Sequence, residues 1–131
     1  MRVIVIIKAT KNAEQGVMPD QALIHAMDKF NEELNAAGMV LAAEGVRPSS
    51  EGKRLYVRHQ SGGGEITIVD GPFTPYEELV SGFWIWKVKT MDEALAWAKR
   101  CPQPMVGEDA IIEIRPMYEV EDIPAATWKN Q

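Results

Sequence analysis

The order of apolar runs along the chain points to an α+β fold, a single antiparallel sheet with two helices on one face. Three observations carry this. A run of β-branched and apolar residues, Val3-Ile4-Val5-Ile6-Ile7, opens the chain. Two stretches with helical spacing, one beginning near Pro19 and one near Thr90, each lie between strand-like runs. The segment Phe83-Trp84-Ile85-Trp86-Lys87-Val88 is rich in the aromatic and β-branched residues that favour a pleated surface. The resulting order, β-α-β-(β-β)-β-α-β, is the ferredoxin-like pattern.

Each element has a local reason. Residues 2–8 are apolar at nearly every position and read as a strand buried on both faces. Residues 10–18 are polar and turn-like. Pro19 suits a first helical position and Asp20 a first turn. Leu23, Met27, Phe30, Leu34 and Ala37 then recur at spacings of four and three, the stripe of an amphipathic helix, with Gly38 as its left-handed cap. Residues 39–43 form a second strand, stopped by Gly45 and Pro48. Residues 53–59 and 65–69 form a hairpin around Gly62-Gly63-Gly64, and 75–79 make a helical turn. Thr90-Met91-Asp92-Glu93 is a capping box that opens the second helix, and Pro102 stops it. Residues 110–115 are the last strand, closed by Pro116.

The 131 residues fit one domain, over 1–118, with a tail at 119–131. With 46% apolar and 25% charged residues, the chain can build a core without staples. The net charge of −5 and the absence of a Lys/Arg cluster longer than Lys99-Arg100 argue against nucleic-acid binding. They argue equally against a basic membrane-surface helix. The opening apolar run is too short for a membrane span. One cysteine, Cys101, precludes an internal disulfide and fits a reducing cytoplasm. Two widely spaced histidines, His25 and His59, with one cysteine make no metal site, and no cofactor fingerprint is present.

Trp84 and Trp86 project to one side of their strand, Phe83 and Ile85 to the other. Both faces are therefore apolar, while two helices cover only one. An uncovered apolar sheet face marks an interface, so a homodimer is expected through the open face, with Trp84 and Trp86 in it.

Asp70-Gly71-Pro72-Phe73 holds a carboxylate in a stiff turn at the end of a strand, beside an aromatic ring. Asp70 is the candidate general acid or base; its structural role would be to bond local backbone N–H groups. Arg47 and Arg115 are candidate anchors for a carboxylate, with Glu44 and Glu113 as alternative ion-pair partners. Phe73 joins them as a ligand-binding candidate. His25 lies opposite the core stripe on the helical wheel and reads as solvated.

These residues resemble the YCII-related superfamily and, within it, the DGPF-domain branch. The matching segments run from Glu32-Glu33-Leu34 through Ala43-Glu44-Gly45, Arg47-Pro48-Ser49 and Asp70-Gly71-Pro72-Phe73. They continue through Gly82-Phe83-Trp84-Ile85 and Ala94-Leu95-Ala96-Trp97-Ala98 to Glu113-Ile114-Arg115-Pro116. The resemblance implies a dimeric α/β-barrel-like, ferredoxin-like fold. It also implies relatives among small enzymes of aromatic-compound breakdown, and a link to pathways of extracytoplasmic-function sigma factors. Some relatives carry a His/Asp pair, with the histidine on the first helix facing a cleft. Aligning the helix-ending glycine with Gly38 puts Met27 at that position, and Arg47-Pro48-Ser49-Ser50-Glu51 lacks the aspartate. The dyad is therefore not carried over. The expected function is a dimeric module that binds a small ligand or a protein partner, without a recognisable catalytic set. The alternative is a cofactor-free lyase, isomerase or dehalogenase-like enzyme acting on a small anionic or aromatic compound. Its site would be a cleft between the first helix, the strand ends and the Asp70–Phe73 turn.

Overall fold

The computed structural model describes residues 1–60 and 63–123. Position 62 of the expected Gly-rich tip and positions 124–131 of the expected tail lie outside the described residues. The elements are β1 (Arg2–Lys8), α1 (Lys11–Glu14), α2 (Gln21–Ala36), β2 (Val40–Gly45), β3 (Lys53–Val57), β4 (Ile66–Asp70), β5 (Val80–Lys87), α3 (Met91–Ala98) and β6 (Ile112–Pro116). Three single 3₁₀ turns punctuate the loops, at Ser49–Glu51, Tyr76–Glu78 and Val120–Asp122.

β2, β5, β1 and β6 hydrogen-bond in that order into one antiparallel sheet, while β3 and β4 pair only with each other. The strand order is ferredoxin-like: α2 and α3 each cross between strands separated by one intervening strand. β1 sits in the middle, opposite β5 from Arg2↔Lys87 to Ile6↔Phe83 and opposite β6 from Val3↔Pro116 to Ile7↔Ile112.

Helix boundaries follow the capping chemistry. Asp20 is the N-cap of α2: its Oδ1 accepts the Leu23 N–H at 2.8 Å, so the helix starts at Gln21, two residues after the expected first position at Pro19. Gly38, at φ 71°, takes the left-handed conformation after its end. Thr90 caps α3 as expected, accepting the Glu93 N–H at 3.1 Å. The Glu93 carboxylate reaches past the cap to the Lys89 N–H at 3.3 Å, so only half of the expected box forms. The polar stretch after β1 contains α1, capped by the Thr10 hydroxyl.

The core lies between the helices and one sheet face. Val3 and Val5 of β1, Trp84 and Trp86 of β5, Phe30 and Leu34 of α2, and Ala94 of α3 are buried together. Phe30 meets Trp84 edge-on at 5.9 Å and Trp86 at 6.4 Å between ring centroids, within the range of favourable aromatic pairs. The expectation for the tryptophans is thereby corrected. Trp84 and Trp86 face α2 rather than the open side, because their indoles are the large groups that fill the space under the helix. Trp86 has no solvent contact at all. The open face instead carries Ile4, Ile6, Phe83 and Ile85, paired across β1 and β5 and each half-buried. β1 is thus buried on one face only.

The β3–β4 hairpin stands apart from the main sheet. Leu55↔Ile68 and Val57↔Ile66 put four apolar side chains on one hairpin face, and all four are exposed. A lone two-stranded hairpin is marginal in water. It is anchored where the chain returns to the sheet, through the turn described next.

Candidate ligand-binding site

The turn after β4 is a docking device. The Gly71 N–H donates to the Gly52 carbonyl at 3.0 Å. A Cβ at Gly71 would fall 1.7 Å from the Ser49 carbonyl oxygen, so only glycine fits there. The Phe73 N–H donates to the Ser49 hydroxyl oxygen at 2.9 Å, and the Arg54 guanidinium lies 4.1 Å above the Phe73 ring. The Ser49 hydroxyl in turn donates to the Glu14 carboxylate, which also accepts the Ser49 N–H at 2.9 Å. α1, the Ser49 turn and the turn at Gly71 are thereby locked together.

Asp70 is the last residue of β4 and pairs with Lys53 directly across the hairpin; the two side chains are 74% and 65% exposed. Arg115 lies on β6, exposed, opposite Ile4. Glu113 pairs with Lys8 at 3.7 Å, and Arg47 pairs with Glu51 one helical turn away at 3.2 Å rather than with Glu44. His25 and His59 are both exposed. The fold therefore does not bring Asp70, Phe73, Arg47 and Arg115 to one place. Arg47 and Phe73 share a shallow depression of about 540 Å³ beside Ser49 and Arg54, in which neither Asp70 nor Arg115 takes part.

A larger cavity of about 630 Å³ opens elsewhere on the helix side of the sheet. One wall is the stripe Leu23, Met27 and Asn31 of α2; the other is formed by Ala43 and Gly45 of β2 with Ser81, Gly82 and Trp84 of β5. Asn12 and Ala13 of α1 and the loop from Pro104 to Glu108 close the end, and Arg47 sits at the margin. It is the cleft expected between the first long helix and the strand ends. It is bounded by α1 and the loop before β6, however, and not by the turn at Gly71. Met27 of α2 lines this cavity.

The polar groups in this apolar cavity are few and held in place. The Trp84 indole N–H donates to Asn31 Oδ1 at 2.8 Å. Glu108 Oε2 accepts the Asn12 N–H at 3.3 Å, while Oε1 is buried without a partner among the described residues. The Ser81 hydroxyl donates to the Ile7 carbonyl at 3.1 Å. A mostly apolar cavity with a small number of oriented polar groups is the usual form of a small-molecule site. Asn12, Asn31 and Glu108 were not among the residues singled out by sequence. For Asn31 a signal existed: it continues the Leu23–Met27 stripe by one more turn, and an amide beside core-facing Phe30 is out of place on a purely structural surface. Glu108 carries no such signal, because it sits in an irregular loop.

Cys101 follows α3 and packs against the core. Burial pushes its thiol up to about 11, the direction that suppresses the reactive thiolate.

The sequence model of the YCII-related domain matches residues 1–120. The chain belongs to the YCII-related domain family. Among solved structures, this YCII-related chain is similar to 5-chloro-2-hydroxyhydroquinone dehydrochlorinase from Burkholderia phenoliruptrix in complex with 2,5-dihydroxybenzoquinone. The TM-score is 0.51 at 13% identity, covering 92% of this chain and 97% of the other. At that identity the likeness speaks for the shared YCII-related fold. A search of the curated proteins finds no match.

Two outcomes follow from this geometry. Gly71→Ala should cost about 1–3 kcal/mol through the backbone clash at Ser49, whereas Asp70→Asn, removing one exposed pair, should stay within about 0.5 kcal/mol. Urea denaturation of both variants checks this, and the reverse ranking would refute the docking role of the turn. At pH 8 the Cys101 thiolate fraction should be about a hundredfold below that of an unperturbed thiol, since its pKa stands near 11 rather than 9. Labelling with a thiol reagent should therefore be slow when the protein is folded, climb toward pH 11, and become fast in denaturant.

Proposed function

We propose that this domain binds a small aromatic compound in the cavity between α2, the β2 and β5 ends and the Pro104–Glu108 loop. The observation that carries this reading is the cavity itself: about 630 Å³, walled by Leu23, Met27, Ala43 and Trp84, with Asn31 and Glu108 as oriented polar groups. That volume lies within the range of small-molecule sites and accommodates a substituted ring. The similar solved structure holds 2,5-dihydroxybenzoquinone, a six-membered ring compound of comparable size and the oxidised counterpart of a hydroxylated aromatic ring. We further read the chain as a member of the DGPF branch, on the motif Asp70-Gly71-Pro72-Phe73, which acts here as a structural clamp.

Glu108 favours a second reading, an enzyme of the cofactor-free lyase or dehalogenase-like type. A carboxylate that lines an apolar cavity and is fixed there by one backbone N–H is the candidate general acid or base of that reading. Asp70 has no access to that cavity and is not retained in the role.

The test is titration with 2,5-dihydroxybenzoquinone and a panel of simple phenols and benzoates, with Ala43→Trp as a cavity-filling variant. Binding that weakens at least tenfold in Ala43→Trp supports the site; unchanged binding places the ligand elsewhere. Compounds that bind are then assayed for turnover. Loss of turnover with retained binding in Glu108→Gln supports the enzyme reading, and turnover equal to wild type removes Glu108 from it.

The homodimer is proposed through the open sheet face, now with Ile4, Ile6, Phe83 and Ile85 at its centre. Two arguments support it: an apolar stripe of this extent is uncommon on a monomer, and the exposed apolar face of the β3–β4 hairpin gives a second surface to cover. Sedimentation should give a dimer for the wild type and a folded monomer for Ile85→Glu. A monomeric wild type at micromolar concentration would refute it.

A further inference from the structure

We propose that Asn31 is the donor in the cavity that selects a ring compound bearing an exocyclic oxygen acceptor. This rests on the cavity reading above and goes beyond it by assigning the recognised group.

The argument begins with Trp84. An indole N–H can only donate, so the Asn31 atom facing it at 2.8 Å must be the amide oxygen. The amide cannot turn over without leaving that buried N–H unpaired, at the full desolvation cost of an orphaned donor. With Oδ1 committed to Trp84, the two N–H groups of Nδ2 make no hydrogen bond among the described residues. Asn31 itself is half-buried and lines the cavity one turn beyond Met27. A fixed donor with spare capacity, set among Met27, Leu23 and Trp84, has no apolar use. It matches a carbonyl, phenolate or carboxylate oxygen. Glu108 supplies the complementary acceptor, suited to a hydroxyl on the same ring. The ligand class is thus a hydroxylated ring that also carries an acceptor oxygen. A site built to donate to an oxygen discriminates strongly against the analogue that lacks it, because its own polar group is then left unpaired.

The test uses two probes that differ by one oxygen: 4-hydroxyacetophenone, with a carbonyl, and 4-ethylphenol, without one. The wild type should bind the first about 10- to 100-fold more tightly, the range for hydrogen bonds to polar and charged groups in dry sites. Asn31→Asp keeps an acceptor for the Trp84 N–H and the same shape, but loses the donor. It should stay folded, as checked by its circular dichroism, and lose the preference for the ketone. In the wild type, the Asn31 side-chain NH₂ resonances should move downfield with 4-hydroxyacetophenone, as on forming a hydrogen bond, and by clearly less with 4-ethylphenol. Binding of both phenols with no preference, or a preference retained in Asn31→Asp, overturns the assignment to Asn31 while leaving the cavity reading intact. Binding of neither probe, nor of any compound in the panel above, overturns both.

Discussion

The contact on which the rest of the molecule depends is the packing of Phe30 against Trp84 and Trp86. These three rings join the long helix to the sheet, and they do so beside Val3 and Val5 in the middle strand. Aromatic side chains bury more apolar surface than any others, and the edge-on geometry adds to that. Because the indoles fill the space under α2, the helix is held off the β2 and β5 ends at its N-terminal half. The cavity occupies the space left there. One of the same indoles, through its N–H, fixes Asn31. The core and the candidate site are therefore built from the same tryptophan.

A second set of interactions acts at the rim. Glu14 holds Ser49, Ser49 holds Phe73, and Gly71 lies directly on the Ser49 backbone. These links tie α1, one of the cavity's end walls, to the segment carrying Arg47 and Pro48 at its margin. They also secure the base of a hairpin that has little support of its own. The Asp70–Phe73 turn thus shapes the site from a distance. Its conspicuous chemistry in the sequence comes from a close backbone approach, which demands glycine, and from a strand-end ion pair.

The two faces of the sheet have different surroundings. One is closed by helices and generates the cavity. The other presents Ile4, Ile6, Phe83 and Ile85 without cover from this chain's helices. Separation of this kind lets a ligand site evolve on one side while an association surface is kept on the other. Of these four residues only Phe83 also lines the cavity, so substitutions at Ile4, Ile6 or Ile85 need not disturb it.

By itself, the sequence determined the strands, the two longer helices and their order, while α1 reads as a turn. Alternation and β-branching placed β1 and β5, the Leu23–Leu34 stripe placed α2, and Asp20, Thr90 and Gly38 marked the helix ends through chemistry local to a few residues. These signals are short in range, so a chain read in one dimension carries them. The family, with its ferredoxin-like sheet, was legible for the same reason. Only the tertiary structure decided which face of β5 turns inward, because Trp84 and Phe83 are both apolar and the choice depends on the volume available under α2. Only it decided that Asp70 stands with Lys53 on an exposed hairpin while Glu108, far along the chain in an irregular loop, lines the cavity. Candidate residues chosen by motif clustered around the turn at Gly71. The residues that share the cavity come from six separate segments, and their proximity is set by how the helices pack on the sheet, a property that no local pattern encodes.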